Sequence, residues 1–188
     1  ISDVPSLEQK RIVSELRKLP NTLQKQLAEE DGTIEKAARM ILDSEPPIFI
    51  GRGALSTYVA KEGSLKMMEI SYIHCIGIPG GELKHGPIAL LSENTPVIAI
   101  APSDSNLNLM ESTIRECKSR GAKVILLTDY EGPICDHADL VIQFNETHEY
   151  LSPFTSILPL QLLAYRVGVL KGVNVDRPRN LAKSVTVV

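Results

Sequence analysis

The chain has 188 residues, of which 43% are hydrophobic and 23% charged, and its formal net charge is −3 with both signs interspersed. This length suits one domain with a substantial core, and the composition is ordinary for a globular protein, which argues against the disordered and membrane-spanning classes. Without an excess of basic residues a nucleic-acid-binding role is not expected, and no apolar run reaches the roughly 18 residues that a membrane span needs.

The first 45 residues are predicted to form a helical arm. Apolar residues recur at helical spacing across residues 6–43, and Pro20 is expected to interrupt the helix after Leu19. Pro46 and Pro47 close this stretch. We expect the amphipathic arm, residues 1–45, to pack on its own domain or on a neighbour.

Beyond the arm, short β-branched runs alternate with helical patterns, as in buried parallel strands joined by helices. This alternation predicts an α/β fold over residues 46–188, a doubly wound (flavodoxin-like) five-stranded parallel sheet. In such sheets ligands bind at the carboxyl ends of the strands. The expected strands are 48–51, 72–78, 96–101, 123–128 and 139–144, and the expected helices are 56–70, 87–92, 105–120 and 153–171.

The stretch "GGELKHGPIALL", residues 80–91, puts Glu82, Lys84 and His85 within four positions between glycines and a proline. A polar surface turn is the simplest interpretation, because Gly-Pro is a turn signal. The alternative is that His85, which titrates near neutrality, is presented from this loop into a site.

Two other loops follow predicted strands. In "GRGALST", residues 51–57, glycines would let backbone amides approach a phosphate at a helix N-terminus, with Ser56 and Thr57 as hydroxyl donors. A tight strand-to-helix turn explains the same pattern. In "APSDSN", residues 101–106, a helix cap by Asp104 or Ser105 is favoured over a ligand contact.

The predicted helix "YVAKEGSLKMMEIS" carries Glu62, Lys66 and Glu69 at the spacing i, i+4, i+7, which places them along one stripe. A solvated, salt-bridged face and a carboxylate base held by a lysine are both compatible with this stripe. At the C-terminus, "LAKSVTVV" is too apolar for a free end, which indicates that it packs down and delivers Lys183 to a specific place.

The three cysteines, and the histidines other than His85, carry no predicted chemistry. The three cysteines are odd in number and widely spaced, which predicts reduced thiols in the cytoplasm and neither a zinc site nor a disulfide framework. His74, inside a predicted strand, and His137 are interpreted as structural, and His148 is given no role. The cysteines are Cys75, Cys117 and Cys135.

Four stretches together resemble one family: "KMMEISYIH", "GELKHGPIALL", "LPLQLLAYRVGVLKG" and "DRPRNLAKSVTV". They are similar to the second sugar-isomerase (SIS) domain of the glutamine–fructose-6-phosphate aminotransferases, and the resemblance runs from about residue 10 to the C-terminus. It implies the five-stranded SIS fold, with the C-terminal tail as a lid. The complete enzymes of this family carry a glutaminase domain and two SIS domains, and convert fructose-6-phosphate and glutamine-derived ammonia into glucosamine-6-phosphate.

The resemblance also implies residue roles. Glu69 would shuttle the proton between C1 and C2, with Lys66 as its charged neighbour. His85 would assist ring opening from the neighbouring subunit of a homodimer, and Lys183 would engage the open-chain sugar. The reaction is proton transfer among positioned side chains, so no metal or organic cofactor is implied. The residues expected to contact the substrate are Glu62, Ala182, Ser56 and Thr57.

Two departures from the family and two alternatives remain. The chain has neither the Ser/Thr-rich phosphate loops of a first SIS domain nor a glutaminase domain, so we expect it to be a fragment that is inactive alone. Val188 stands where the family has a terminal glutamate. The alternatives are a stand-alone phosphosugar isomerase, using Ser103 and Ser105 with Ser56 and Thr57 for phosphate, and a non-catalytic sugar-phosphate-binding or dimerisation module.

Overall fold

A computed structural model describes residues 5–30 and 32–181 of the chain. Five parallel strands form a single sheet in the order β2-β1-β3-β4-β5. This confirms the predicted doubly wound, five-stranded α/β fold. The strands are β1 (Ile48–Gly51), β2 (Ile76–Pro79), β3 (Pro96–Ile100), β4 (Lys123–Thr128) and β5 (Leu140–Gln143), and the helices are α1 (Ser6–Ala28), α2 (Thr33–Leu42), α3 (Gly53–Ser71), α4 (Leu107–Lys118) and α5 (Ser152–Leu170).

The connection between β2 and β3 contains two short 3₁₀ turns, Glu82–His85 and Pro87–Leu90, where the sequence predicted a helix at 87–92. The loop around His85 is therefore part of the crossover that covers one face of the sheet. Two more 3₁₀ turns, Pro133–His137 and Glu149–Leu151, flank β5.

The arm is helical, but the break predicted at Pro20 is wrong. Helix α1 continues through Pro20 to Ala28. Contacts on both sides of the proline hold the helix: Leu19 is buried, and the amide of Gln26 donates to the carbonyl of Thr155 at 2.8 Å. The break falls instead at Gly32, whose φ of +85° is a conformation that glycine adopts without steric cost.

The sheet separates two apolar layers. Helices α2, α3 and α5 pack on one face, and α4 packs on the other together with the 3₁₀ turns after β2. Strands β1 and β3 are buried along their whole length because both faces are covered. The layer on the α3 side includes Phe49, Met67, Leu160 and Leu163, and the layer on the α4 side includes Leu83, Met110, Ile114 and Leu126.

Three glycines set the position of α3. A Cβ on Gly51 would lie 2.1 Å from the carbonyl oxygen of Ser56, and a Cβ on Gly77 would lie 2.5 Å from Cα of Lys61. A Cβ on Gly63 would lie 2.6 Å from Cδ1 of Leu160 in α5. Helix α3 therefore packs directly against β1, β2 and α5, which leaves its remaining side to carry the charged stripe.

Within the described residues, the segment Glu149–Leu170 is the one helix long and apolar enough to cross a membrane by length and composition, and 44% of the tested window is buried. In the structure Leu163, Ala164 and Val167 of this helix lie fully buried in the layer shared with α2 and α3. The apolar character of α5 is therefore that of a core helix.

Candidate active site

The predicted charged stripe forms on α3. Nζ of Lys66 lies 2.6 Å from Oε2 of Glu69 and 3.5 Å from Oε1 of Glu62. The side chains of Lys66 and Glu69 are 27% and 28% exposed, so the pair is reachable from solvent but shielded from it on several sides. The hydrogen bond to Glu69 raises the pKa of Lys66, partial burial opposes this, and the charge of Glu62 adds to it.

Helix geometry places the stripe at the amino edge of the sheet. Helix α3 begins at Gly53, directly after the carboxyl end of β1, and its 19 residues run back towards the start of β2. At 1.5 Å per residue the helix spans about 27 Å, which is longer than any strand of the sheet. Glu69 therefore lies at the edge opposite the loops where the rule for open α/β sheets predicts ligands.

His85 lies on the other face of the sheet from Glu69. Leu83, in the same 3₁₀ turn, is buried in the layer under α4, and Nζ of Lys84 lies 2.7 Å from Oε1 of Glu116 in α4. The side chain of His85 is exposed, and it makes no hydrogen bond to any described residue. One copy of the chain thus does not bring His85 to Glu69.

Arg52 anchors the loop that carries His85. Its guanidinium donates to Oγ1 of Thr113 in α4 at 2.9 and 3.3 Å, and the amide of Gly80 donates to the carbonyl of Gly51 at 2.7 Å. A Cβ on Gly80 would sit 3.4 Å from Cγ of Arg52, an ordinary contact distance, so the loop lies directly along the arginine side chain. Sequence analysis missed Arg52, although an arginine between the glycines of "GRG" was a signal.

Two donors of the proposed phosphate loops are used internally, and a third is buried. Ser56 is buried, the hydroxyl of Thr57 donates to the carbonyl of Gly51 at 3.1 Å, and the amide of Ser103 donates to Oδ1 of Asp129 at 2.6 Å. The predicted helix cap by Asp104 or Ser105 is wrong, because Asn106 is the N-cap residue of α4 and no described side chain caps that helix. Asp104 instead accepts a hydrogen bond from the amide of Asn106 at 2.7 Å, in the turn ahead of the helix. A substrate contact by Ser56 and Thr57 stays a prediction.

A cleft of about 450 Å³ opens at this carboxyl edge. More carboxylates than cations line it, which gives it a potential that disfavours a phosphate. The charged residues around it are Glu8, Arg11, Arg52, Asp104, Asp129, Glu146 and Glu149.

The segment after α5 returns to the Glu69 end of α3. Nζ of Lys171 donates to the carbonyl of Ser71 at 2.8 Å, and the amide of Arg179 donates to the hydroxyl of Tyr72 at 2.9 Å. The chain is therefore held at the Glu69 end of α3 at Arg179, two residues before its described part ends at Leu181. Lys183 and Ala182, two residues predicted to contact the substrate, lie outside the described residues, as does Val188.

The histidines given no catalytic role have different environments. The prediction for His74 is wrong, because His74 is exposed and lies ahead of β2 and not inside a strand. Nε2 of His137 lies 3.4 Å from Oε1 of Glu111, which ties the turn before β5 to α4 and agrees with a structural role. Nε2 of His148 is bonded to the carboxylate of Glu8 and joins the arm to the main domain.

The cysteines are free thiols in the structure, as predicted. Burial raises the pKa of both Cys75 and Cys117 to about 12, so these thiols are poor nucleophiles at neutral pH. Among the residues that the structure describes, no three His, Cys, Asp or Glu side chains are grouped so as to hold a metal ion.

The Lys66–Glu69 pair makes a testable contribution to stability. Because the folded pKa of Lys66 is raised above its ordinary value of 10.5, the pair stabilises the fold at lower pH and the effect is lost as pH rises through the folded pKa. For a pair this exposed we expect Lys66→Met to lower the free energy of unfolding by less than about 1 kcal/mol at pH 7. Urea unfolding at pH 7, 9 and 11 measures the difference.

The matched control is Lys61→Met, on the same helix, since Lys61 has no carboxylate partner among the described residues and contacts the ring of Tyr58. A difference between wild type and Lys66→Met that is as large at pH 11 as at pH 7 would contradict the assignment.

Comparison with known proteins gives consistent matches. A model of the SIS domain family matches residues 40–171. The glutamine–fructose-6-phosphate aminotransferase (isomerizing) of Pseudomonas syringae pv. tomato is 46% identical over 178 residues, which is 94% of this chain and 29% of that protein. The chain therefore spans less than a third of the length of the curated relatives it matches.

Solved structures show the same fold. The C-terminal domain of glucosamine-fructose-6-phosphate aminotransferase from Francisella tularensis superposes with a TM-score of 0.84 at 33% identity, covering 94% of this chain and 49% of that one. The sugar isomerase domain of an RpiR transcription factor from Sphaerobacter thermophilus superposes with a TM-score of 0.70 at 21% identity, covering 89% and 93%.

Proposed function

The chain belongs to the SIS domain family, and from that premise we propose that it is the C-terminal isomerase part of a glutamine–fructose-6-phosphate aminotransferase. The observation that carries the proposal is the identity of 46% to such an enzyme across 94% of the chain. The proposed substrate is a sugar phosphate, fructose-6-phosphate, and the product is glucosamine-6-phosphate.

The geometry of Glu69 supports the role of proton carrier. Lys66 donates to Oε2, and no other hydrogen bond to this carboxylate is made by the described residues, which leaves Oε1 for a substrate proton. In the reaction, ammonia and the C2 carbonyl form an imine with loss of water. Glu69 then removes a proton from C1 and returns it to C2, and the proton of the C1 hydroxyl passes to the nitrogen, so that C1 becomes the aldehyde and C2 carries the amine.

The position of His85 supports a homodimeric enzyme. A residue that opens the sugar ring must come within hydrogen-bond reach of the same substrate as Glu69, and the sheet separates the two side chains in one subunit. We infer that His85 serves the site of a neighbouring subunit. The exposed apolar side chains of α1, such as Leu7, Val13 and Leu16, suit contact with a further protein surface.

The further partners follow from the same proposal. A first SIS domain would supply the phosphate contacts that the carboxyl-edge cleft does not offer, and a glutaminase domain would supply ammonia. Lys183 would approach the sugar from the C-terminal segment. We expect the enzyme to work in the cytoplasm. We also expect it to need no metal or organic cofactor, since each step on the sugar is a proton transfer or the formation of an imine.

The two alternatives are less well supported. A stand-alone phosphosugar isomerase would need free donors at the carboxyl edge, and the hydroxyl of Thr57 and the backbone amide of Ser103 are bonded within the chain. The sugar isomerase domain of similar length is only 21% identical, a likeness that shows the fold alone. A non-catalytic module is disfavoured by the relatives, since the proteins that are 46% and 45% identical over 94% of the chain are named as aminotransferases.

A chimera tests the proposal. When this chain replaces the matching segment of the Pseudomonas syringae enzyme, we expect the chimera to form glucosamine-6-phosphate from fructose-6-phosphate and glutamine. The 188-residue chain alone should form none with glutamine. The thiols of Cys75 and Cys117, with pKa values of about 12, are not activated nucleophiles, and Cys135 stands in no recognisable catalytic motif. A chimera that folds and hydrolyses glutamine but forms no amino sugar would refute the function, as would turnover of glutamine by the isolated chain.

A further inference from the structure

Tyr72 occupies an unusual position at the end of α3. It is the C-cap residue of the helix and has φ 58° and ψ 25°, a left-handed conformation in which a residue with a side chain is disfavoured. Such a conformation persists where surrounding contacts hold it in place. Tyr72 comes three residues after Glu69, which is less than one helical turn.

The side chain of Tyr72 makes two contacts with one residue that is 107 positions away. Its hydroxyl accepts a hydrogen bond from the backbone amide of Arg179 at 2.9 Å, and the centroid of its ring lies 4.2 Å from Cζ of the Arg179 guanidinium. A cation over an aromatic face at this distance is attracted to the ring. Backbone and side chain of Arg179 are therefore both held by the same tyrosine.

Further contacts join the end of α3 to α5 and to the segment that follows α5. Nζ of Lys171 caps the carbonyl of Ser71, and Gly168 lies against Ile70 and Val175, where an added Cβ would be 3.0 Å and 2.8 Å from their side chains. The end of α3 is thus in contact with α5 and with the segment that follows it. The contact between Tyr72 and Arg179 is the one made by the residue furthest along this segment, and it lies at the Glu69 end of α3.

We propose that Tyr72 is a positioning residue, which fixes the segment around Arg179 relative to Glu69 and thereby keeps the acid–base site assembled. The reaction concerned is that of the proposed function, on which this part of the inference rests. The attachment itself is independent of that function. Tyr72 touches no reacting atom in this scheme and acts through the segment that it holds.

Amide exchange tests the attachment in the 188-residue chain. Tyr72→Phe keeps the ring and removes the acceptor, so the Arg179 amide should exchange roughly threefold to tenfold faster, the effect of one lost hydrogen bond. The control is Tyr165→Phe, since Tyr165 is 45% exposed and its hydroxyl has no partner among the described residues. An unchanged exchange rate of the Arg179 amide in Tyr72→Phe would overturn the inference. This test does not depend on whether the more drastic variant Tyr72→Leu folds.

Kinetics in the complete aminotransferase test the positioning role. Tyr72→Leu should lower kcat for amino-sugar formation about tenfold or more, because small misplacements in a site are costly, while glutamine hydrolysis continues at its normal rate. Arg179→Lys keeps a cation for the ring and should retain more activity than Arg179→Leu. Faster exchange without any loss in kcat would refute the positioning role. If the chimera with the Pseudomonas syringae enzyme folds and hydrolyses glutamine but makes no amino sugar, the proposed function fails, and the exchange result then decides the attachment alone.

Discussion

Replacing Glu69 with glutamine in the complete aminotransferase is expected to abolish amino-sugar formation while glutamine hydrolysis persists. Glutamine keeps the shape of the side chain and an oxygen that can accept from Lys66, whose Nζ lies 2.6 Å from the carboxylate. It cannot take up the proton from C1. Loss of a positioned base lowers the rate by about 10²–10⁴-fold. The measurement is the ratio of glucosamine-6-phosphate formed to glutamate released.

Glu35→Gln is the matched control. Glu35 is also a helical glutamate whose carboxylate accepts from a cation, the guanidinium of Arg39 at 2.6 Å, but it lies on α2, away from the stripe. We expect this variant to keep both activities. If Glu69→Gln makes amino sugar at a rate similar to that of Glu35→Gln, Glu69 is not the base.

Mixing two inactive variants is expected to restore activity if His85 acts across a subunit boundary. His85→Asn removes the imidazole, and should lower amino-sugar formation by about 10²–10⁴-fold on its own. In a mixed dimer of His85→Asn and Glu69→Gln subunits, one of the two sites receives both native residues. Random mixing in equal amounts should therefore recover roughly a quarter of the wild-type rate in a two-fold symmetric dimer.

The physical reason for this expectation is the placement of the two side chains. Glu69 belongs to the α3 layer and His85 to the connection that packs under α4, so the sheet lies between them. If both residues served one site within a subunit, every mixed dimer would hold two defective sites and no activity would return. The same experiment with Glu35→Gln in place of Glu69→Gln calibrates the recovery.

The sequence predicted those features that depend on local patterns. The strands appear as short apolar runs because both faces of the sheet are covered, and the stripe of Glu62, Lys66 and Glu69 follows from helical periodicity alone. The predicted break at Pro20 failed because the effect of a proline on a helix depends on tertiary contacts, here those of Leu19 and Gln26, which local propensity does not contain.

Only the tertiary structure decided which of these features meet. No local signal shows that Arg52 anchors the His85 loop through Thr113, 61 residues away, or that Tyr72 holds Arg179 at a separation of 107. The amino-acid sequence by itself determined the strands, most of the helices and the charged stripe, since each depends on the spacing of residues that are close together in the chain. The fold determined that His85 and Glu69 lie on opposite faces, because the side to which a crossover packs is settled by how whole layers bury their apolar surfaces.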